Sequence, residues 1–418
     1  MQPAPTGPDP AAPDAVPDRL LRGTVVTDGR TLPDTVVAIT GDRIVAVVPA
    51  ASWAGPPGRL PPPTDRLLLP GLVDVHCHGA AGHGFPDTTA AGALAAVAHH
   101  REHGTTTMLA SLVSAPAATL ADRLELLGPL VAAGELAGIH LEGPFLAVAR
   151  CGAHDPAAIV PGDPVLLEKL LATAGGTVAS MTLAPETPRY PELLAVLAGY
   201  GALPSIGHTD ADARATAAAI RRAGGAPMSA THLFNAMPPV HHRAPGPVTA
   251  CLAAAARGEL VVELIADGVH LSPDTVSAVF DLVGPDRIAL VTDAMAAAGM
   301  PDGRYRLGTM DVRVADRVAR LAAAGGGTGG RAIAGGTARM IDVLRSTVTG
   351  SGVPLAAAVI AATRTPARLL GLDHEIGSLA AGHRADVLVT DPALRPAEVL
   401  RCGATVTGRS GPIPNREV

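Results

Sequence analysis

Between residues 68 and 371, short apolar runs alternate with longer stretches rich in alanine and leucine. The switch from a strand-like to a helix-like period marks repeated βα units, and therefore a parallel sheet. The apolar runs fall at 71–76, 106–111, 138–142, 180–184, 204–208, 228–232, 261–266 and 288–293. Eight parallel strands separated by helices predict a (β/α)8 TIM barrel over 68–371; a doubly wound sheet is the competing arrangement. Before the barrel, β-type runs at 23–27, 35–40 and 43–48 are separated by Gly, Asp and Pro turn signals. Similar runs return at 376–379 and 385–389. Residues 19–67 and 372–418 are thus expected to form one small composite β-sandwich domain. Six prolines in the first seventeen residues leave too little apolar surface to order residues 1–18, which read as a disordered tail.

The length, 418 residues, suits one large domain with a small companion. A formal net charge of -6 and a pI near 6.2 argue against nucleic acid or an acidic membrane surface as partner, because both select clustered Lys and Arg. A small soluble substrate fits better. The four cysteines, Cys77, Cys151, Cys251 and Cys402, contain no C-x-x-C pair, so neither a disulfide framework nor a thiolate zinc knuckle is indicated. No basic-then-apolar leader and no membrane-length apolar run is present, so the expected compartment is the cytoplasm.

Chemistry enters at the strand ends. The run ending in His76-Cys77-His78 places both imidazoles on one face of a strand and Cys77 on the other. Two imidazoles converging there can share a metal ion, or can simply be satisfied in the core. Four further strand ends deliver ligand-type residues: Glu142, His208, His232 and Asp293. Active sites of this fold assemble at the C-terminal strand ends, which makes chance a poor explanation for five strands contributing His, Glu or Asp there. Imidazoles and carboxylates without thiolates select Zn²⁺, and Fe²⁺, Mn²⁺ or Co²⁺ accept the same set, as one ion or two. Such an ion acidifies water and polarises a carbonyl, the two needs of amide hydrolysis. Asp293 is then the natural general base, with a further-ligand or helix-cap role as its alternative. The only lysine, Lys169, sits in a helical stretch away from the strand ends. Carboxylated-lysine bridging, as in urease or dihydroorotase, is therefore not expected, and Glu142 is the residue left to bridge two ions.

The stretches 70–79 (PGLVDVHCHG), 138–145 (GIHLEGPF), 152–154 (GAH), 183–186 (LAPE), 207–209 (GHT), 231–237 (THLFNAM), 266–270 (ADGVH) and 291–294 (VTDA) together resemble the N-acetylglucosamine-6-phosphate deacetylase family of the amidohydrolase superfamily, from about residue 41 to 391. The resemblance implies that Glu142, His208 and His232 hold the principal metal, that His76 and His78 complete a second site, and that Asp293 is the catalytic acid/base. It implies sugar and phosphate contacts from Ala153, His154, Asn235, Ala236, Arg243, His270, Ile333, Ala334 and Gly335. It further implies a homodimer in which Arg243 reaches the neighbouring site, where an arginine fork suits a phosphate dianion.

The spelling departs from the family around Arg243, at Arg150-Cys151 and at Gly336. Phe85, Phe145 and Phe234 abut motifs and either wall the pocket or pack beneath it, the commoner outcome. The expected reaction is metal-dependent hydrolysis of the acetamide of N-acetyl-D-glucosamine 6-phosphate. A related acetamido sugar, such as N-acetylgalactosamine 6-phosphate, and a non-catalytic barrel scaffold are the alternatives.

Overall fold

The computed structural model describes residues 17–322 and 332–406, so most of the expected N-terminal tail lies outside the described residues. The barrel strands are β1 (Leu72–Asp74), β2 (Thr105–Leu112), β3 (Gly138–Glu142), β4 (Val178–Leu183), β5 (Leu203–Ile206), β6 (Ser229–Ala230), β7 (Val261–Leu264) and β8 (Ile288–Leu290). Each pairs in parallel with the next. Beyond the ladder ends, the Asp293 N–H donates to His76 O at 2.9 Å and Cys77 bridges Ala294 in parallel, which brings β8 back to β1. All eight residues of β2 are buried, as befits a strand covered on both faces.

Helices α1 (Ala90–Glu102), α2 (Ala117–Ala132), α3 (Pro164–Ala174), α4 (Tyr190–Gly199), α5 (Ala213–Arg222), α6 (Gly246–Ala256), α7 (Pro273–Val283) and α8 (Met340–Thr349) each follow the strand of the same number. Several starts are written locally. Thr89, Asp163, Asp212 and Ser272 each accept a hydrogen bond from a first-turn backbone N–H, and prolines 164 and 273 occupy the first helical position of α3 and α7.

The terminal segments build one seven-stranded sheet, ordered 404–405, 396–401, 387–390, 67–70, 19–27, 30–40, 43–49. Alternation divides its side chains between two cores: Val25, Leu68, Val387 and Leu400 pack together, while Val26, Leu69, Leu388 and Val399 join the barrel cluster. Leu68 to Pro70, expected to open the barrel, pair instead with both terminal segments of this sheet. Gly71 then passes the chain straight into β1, its N–H donating to Asp386 O at 2.9 Å. The expected strand at 376–379 is a bend: Gly377 has φ +86°, and a Cβ there would lie 2.9 Å from the backbone of Arg364. A third sheet was not anticipated. Strands Gly303–Leu307, Met310–Ala315 and Val318–Leu321 form an antiparallel insert between β8 and α8, and its last strand hydrogen-bonds to the 332–334 segment. No helix among the described residues is long and apolar enough to cross a membrane.

Candidate active site

The barrel opens at its C-terminal strand ends into a cavity of about 320 Å³ lined by His78, Glu142, His154, His208, His232, His270 and Asp293, among others. Glu142 is the last residue of β3, whereas His76, His78, His208, His232 and Asp293 sit just past the ends of their strands. His208, His232 and Asp293 take φ values of 48°, 27° and 47°, so the backbone leaves the ladder there and turns each side chain over the mouth. Non-glycine residues held in this region are costly and cluster at functional sites.

Glu142, 3% exposed, is the hub. Its Oε1 lies 3.0 Å from His208 Nε2, 2.9 Å from His232 Nε2 and 3.7 Å from His76 Nε2. Its Oε2 lies 3.3 Å from His78 Nε2 and 3.1 Å from His154 Nε2. On the far side, Asp293 Oδ1 stands 3.4 Å from His76 Nε2 and 3.1 Å from His78 Nε2. Two groups of ligand-type atoms result, with Glu142 between them. Lys169 is exposed on α3, so no lysine takes part.

The hydrogen-bond partners assign tautomers. His76 Nδ1 meets Glu263 Oε2 at 3.2 Å, His78 Nδ1 meets Ser111 O at 3.2 Å, and His208 Nδ1 meets Arg150 O at 2.8 Å. Each Nδ1 carries the proton, which frees Nε2 as a lone-pair donor aimed at the centre. His154 is reversed: its Nδ1 accepts from the Ser114 N–H at 3.1 Å, so its Nε2 carries the proton and donates to Glu142. His154 is thus a hydrogen-bond donor to the site, although its atoms lie within coordinating range of Glu142 and His208.

The electrostatics ask for a cation. Burial alone would lower His76, but the charges of Asp293 and Glu142 outweigh it and hold the ring well above its usual range. His78 is likewise raised to about 9 against the pull of burial, by its hydrogen bonds and proximity to Asp293 and Glu142. Burial would raise Glu142 and Asp293, but the surrounding imidazoles drive both carboxyls well below theirs. Burial pushes His154 down to about 4 and leaves it neutral near pH 7. Carboxylates that can charge their own imidazole neighbours form a donor set suited to a divalent metal ion.

A family model described as "Amidohydrolase family" matches residues 67–410. The chain belongs to the amidohydrolase family. It is 33% identical to the N-acetylglucosamine-6-phosphate deacetylase of Bacillus subtilis (strain 168) over 87% of this chain and 91% of the relative. It is 34% identical to an N-acetylgalactosamine-6-phosphate deacetylase of Escherichia coli O157:H7, over 80% of this chain and 86% of the relative. Among solved structures it resembles a mutant N-acetyl-D-glucosamine-6-phosphate deacetylase from Mycobacterium smegmatis, in complex with N-acetyl-D-glucosamine-6-phosphate. That match has 40% identity and a TM-score of 0.85, covering 93% of this chain and 99% of that one.

In this amidohydrolase, Ala153, Asn235, Ala236, Ile333 and Gly335 line the same cavity as the ligand-type residues, together with His270. The His270 ring is fixed by Asp267 Oδ2 at 2.9 Å. Ala334 is fully buried and outside the lining, its N–H donating to Ala319 O at 3.0 Å. Arg243 does not reach the cavity of its own chain; it is exposed, with Nη1 2.6 Å from His242 Nε2. Phe85 and Phe145 are core residues at 0% exposure, and Phe234 packs against the main core. Not expected from the sequence are Leu307 and Arg320, carried to the cavity by the insert, and Glu263 behind His76. Glu263 had one visible signal: it is a lone acid inside an apolar strand.

Proposed function

We propose that the chain hydrolyses the acetamide of N-acetyl-D-glucosamine 6-phosphate, giving D-glucosamine 6-phosphate and acetate. The observation that carries the reading is the Glu142 carboxylate ringed by imidazole Nε2 atoms, with Asp293 facing it across the mouth of a sugar-sized cavity. The resemblance to enzymes of this activity supplies the substrate class.

Glu142, His208 and His232 would hold the principal ion, and His76 and His78 a second, with zinc as the metal best matched to the set. Such an ion supplies Lewis-acid polarisation of the acetamide carbonyl and acidifies water. Asp293 accepts the proton of the attacking water as its oxygen bonds the acetamide carbon. It then returns that proton to the amine nitrogen as the C–N bond breaks and acetate leaves. His154, with its proton fixed on Nε2 and donated to Glu142, would share that N–H with the sugar or carbonyl side of a bound substrate.

Asn235, Ala236 and His270, which line the same cavity, would take the phosphate, as the resemblance implies. Arg243 completes those contacts from the partner subunit of a homodimer, which gives its exposed position a purpose. The cytoplasm suits four cysteines that are all unpaired.

The relative acting on N-acetylgalactosamine 6-phosphate makes the C4 epimer the competing substrate. Comparing kcat/KM for the two 6-phosphates decides between them. A higher value for the gluco epimer is expected; a galacto preference of tenfold or more contradicts the assignment.

A further inference from the structure

Glu263 is a buried carboxylate with no role in the chemistry above. It is 4% exposed and projects from β7, between Val262 and Leu264, both fully buried. Its Oε2 lies 3.2 Å from His76 Nδ1, and its Oε1 accepts from Ser229 Oγ at 2.9 Å. The remaining contact is the His232 backbone N–H at 3.4 Å. Among the described residues no Arg or Lys approaches it. Ser229 in turn touches Ser205 at 2.6 Å, Ser205 touches Thr231 at 2.6 Å, and Thr231 touches Thr182 at 2.7 Å, so the carboxylate ends a row of hydroxyls inside the barrel. A carboxylate buried on neutral donors alone is expensive unless a positive charge stands close by.

The four centre-facing imidazoles are not equivalent behind the centre. His78 and His208 are backed by backbone carbonyls, and His232 Nδ1 has no partner among the described residues. His76 alone is backed by a carboxylate. A carboxylate behind a ligating imidazole fixes its tautomer and rotation and raises its basicity. Glu142, Asp293 and Glu263 also place three buried carboxylates at one site, more negative charge than a single divalent ion balances.

We propose that Glu263 is the positioning residue of the second ion: by holding and polarising His76 it makes the His76, His78 and Asp293 group a true cation site alongside the principal one. The proposal rests on the metal reading above and concerns only the occupancy and affinity of the second ion.

The test compares purified wild type, Glu263→Gln, Glu263→Asp and Ser229→Ala, titrated with zinc alone after chelation. Ions per chain are counted by mass spectrometry, and the two Kd values are taken from competition with a zinc indicator. Wild type and Ser229→Ala are expected to hold two ions. Glu263→Gln should hold one at the same free zinc, with the second Kd weakened roughly tenfold to a hundredfold and the first unchanged. Glu263→Asp keeps the charge, so it should fall between them and stand in if the Gln variant does not fold. Two ions at wild-type affinity in Glu263→Gln overturns the proposal, as does a wild type that saturates at one ion. A wild type that binds no zinc overturns the metal reading as well, so the two failures are distinct.

Discussion

At the scale of single residues, the division of labour among the imidazoles follows from what stands behind each ring. Asp293 faces the site without holding its shape alone, since Gly336 N–H donates to its backbone carbonyl at 2.6 Å. Asp293→Asn is therefore expected to fold and to keep the ion on Glu142, His208 and His232 while kcat falls by roughly 10²–10⁴-fold. Steady-state kinetics on the metal-counted variant check this, and a loss below tenfold would remove Asp293 from proton transfer. The gathering of imidazoles and carboxylates at the strand ends was legible in the sequence because alternation fixes which side chains share a face, as with His76 and His78. The opposite tautomer of His154 was not. It depends on the Ser114 N–H, forty residues away in sequence, a contact that no local pattern encodes.

At the scale of elements, Gly143 illustrates how a turn holds a site carboxylate. It follows Glu142 directly, adopts φ +84°, and a Cβ there would come 2.2 Å from Ser114 Oγ and 3.0 Å from Leu146. Gly143→Ala should cost about 1–3 kcal/mol, read as a lower midpoint in chemical denaturation; an unchanged midpoint contradicts this account of the turn.

Helix α1 carries a pH response. Burial pushes His100 down to about 4 and His99 to about 3 from an ordinary value of 6.5. Below pH 6.5 the unfolded chain binds a proton that native His100 refuses until about pH 4. Its contribution to stability is thus full above pH 6.5 and is lost as pH falls through that window. For His100 alone the change is on the order of 3 kcal/mol. Thermal unfolding of wild type and His100→Gln should show a shallower decline between pH 6.5 and 4 in the variant; parallel profiles contradict the assignment. The eight barrel strands were readable as apolar runs, and the end of β3 at Glu142 was placed where it lies, but the ends of β5, β6 and β8 were placed too late, because positive-φ turns at His208, His232 and Asp293 stop the ladder before the apolar pattern stops. The insert at 303–321 escaped notice because exposed residues such as Arg304, Arg306 and Arg313 interrupt its apolar positions.

At the scale of the whole molecule, the terminal sheet and the barrel are joined by the few residues from Leu67 to Leu72. The sheet that contains both terminal segments therefore also anchors the strand leading to His76 and His78. If Arg243 serves a neighbouring site, the assembly is part of the catalyst. Arg243→Ala should raise KM for the 6-phosphate by roughly tenfold to a hundredfold, the worth of one charge-assisted hydrogen bond, with little change for unphosphorylated N-acetylglucosamine. Equal effects on both sugars would place Arg243 elsewhere, and sedimentation at the mass of a single chain would exclude the shared site.

Metal-assisted deacetylation of a phosphorylated acetamido sugar is tested by acetate release from N-acetyl-D-glucosamine 6-phosphate. It is measured on the protein as purified, after chelation, and after zinc is restored. The expected result is turnover that chelation abolishes and zinc returns, with the unphosphorylated sugar a far poorer substrate. Turnover that survives complete removal of metal, or its absence in the zinc-replete protein, would contradict it.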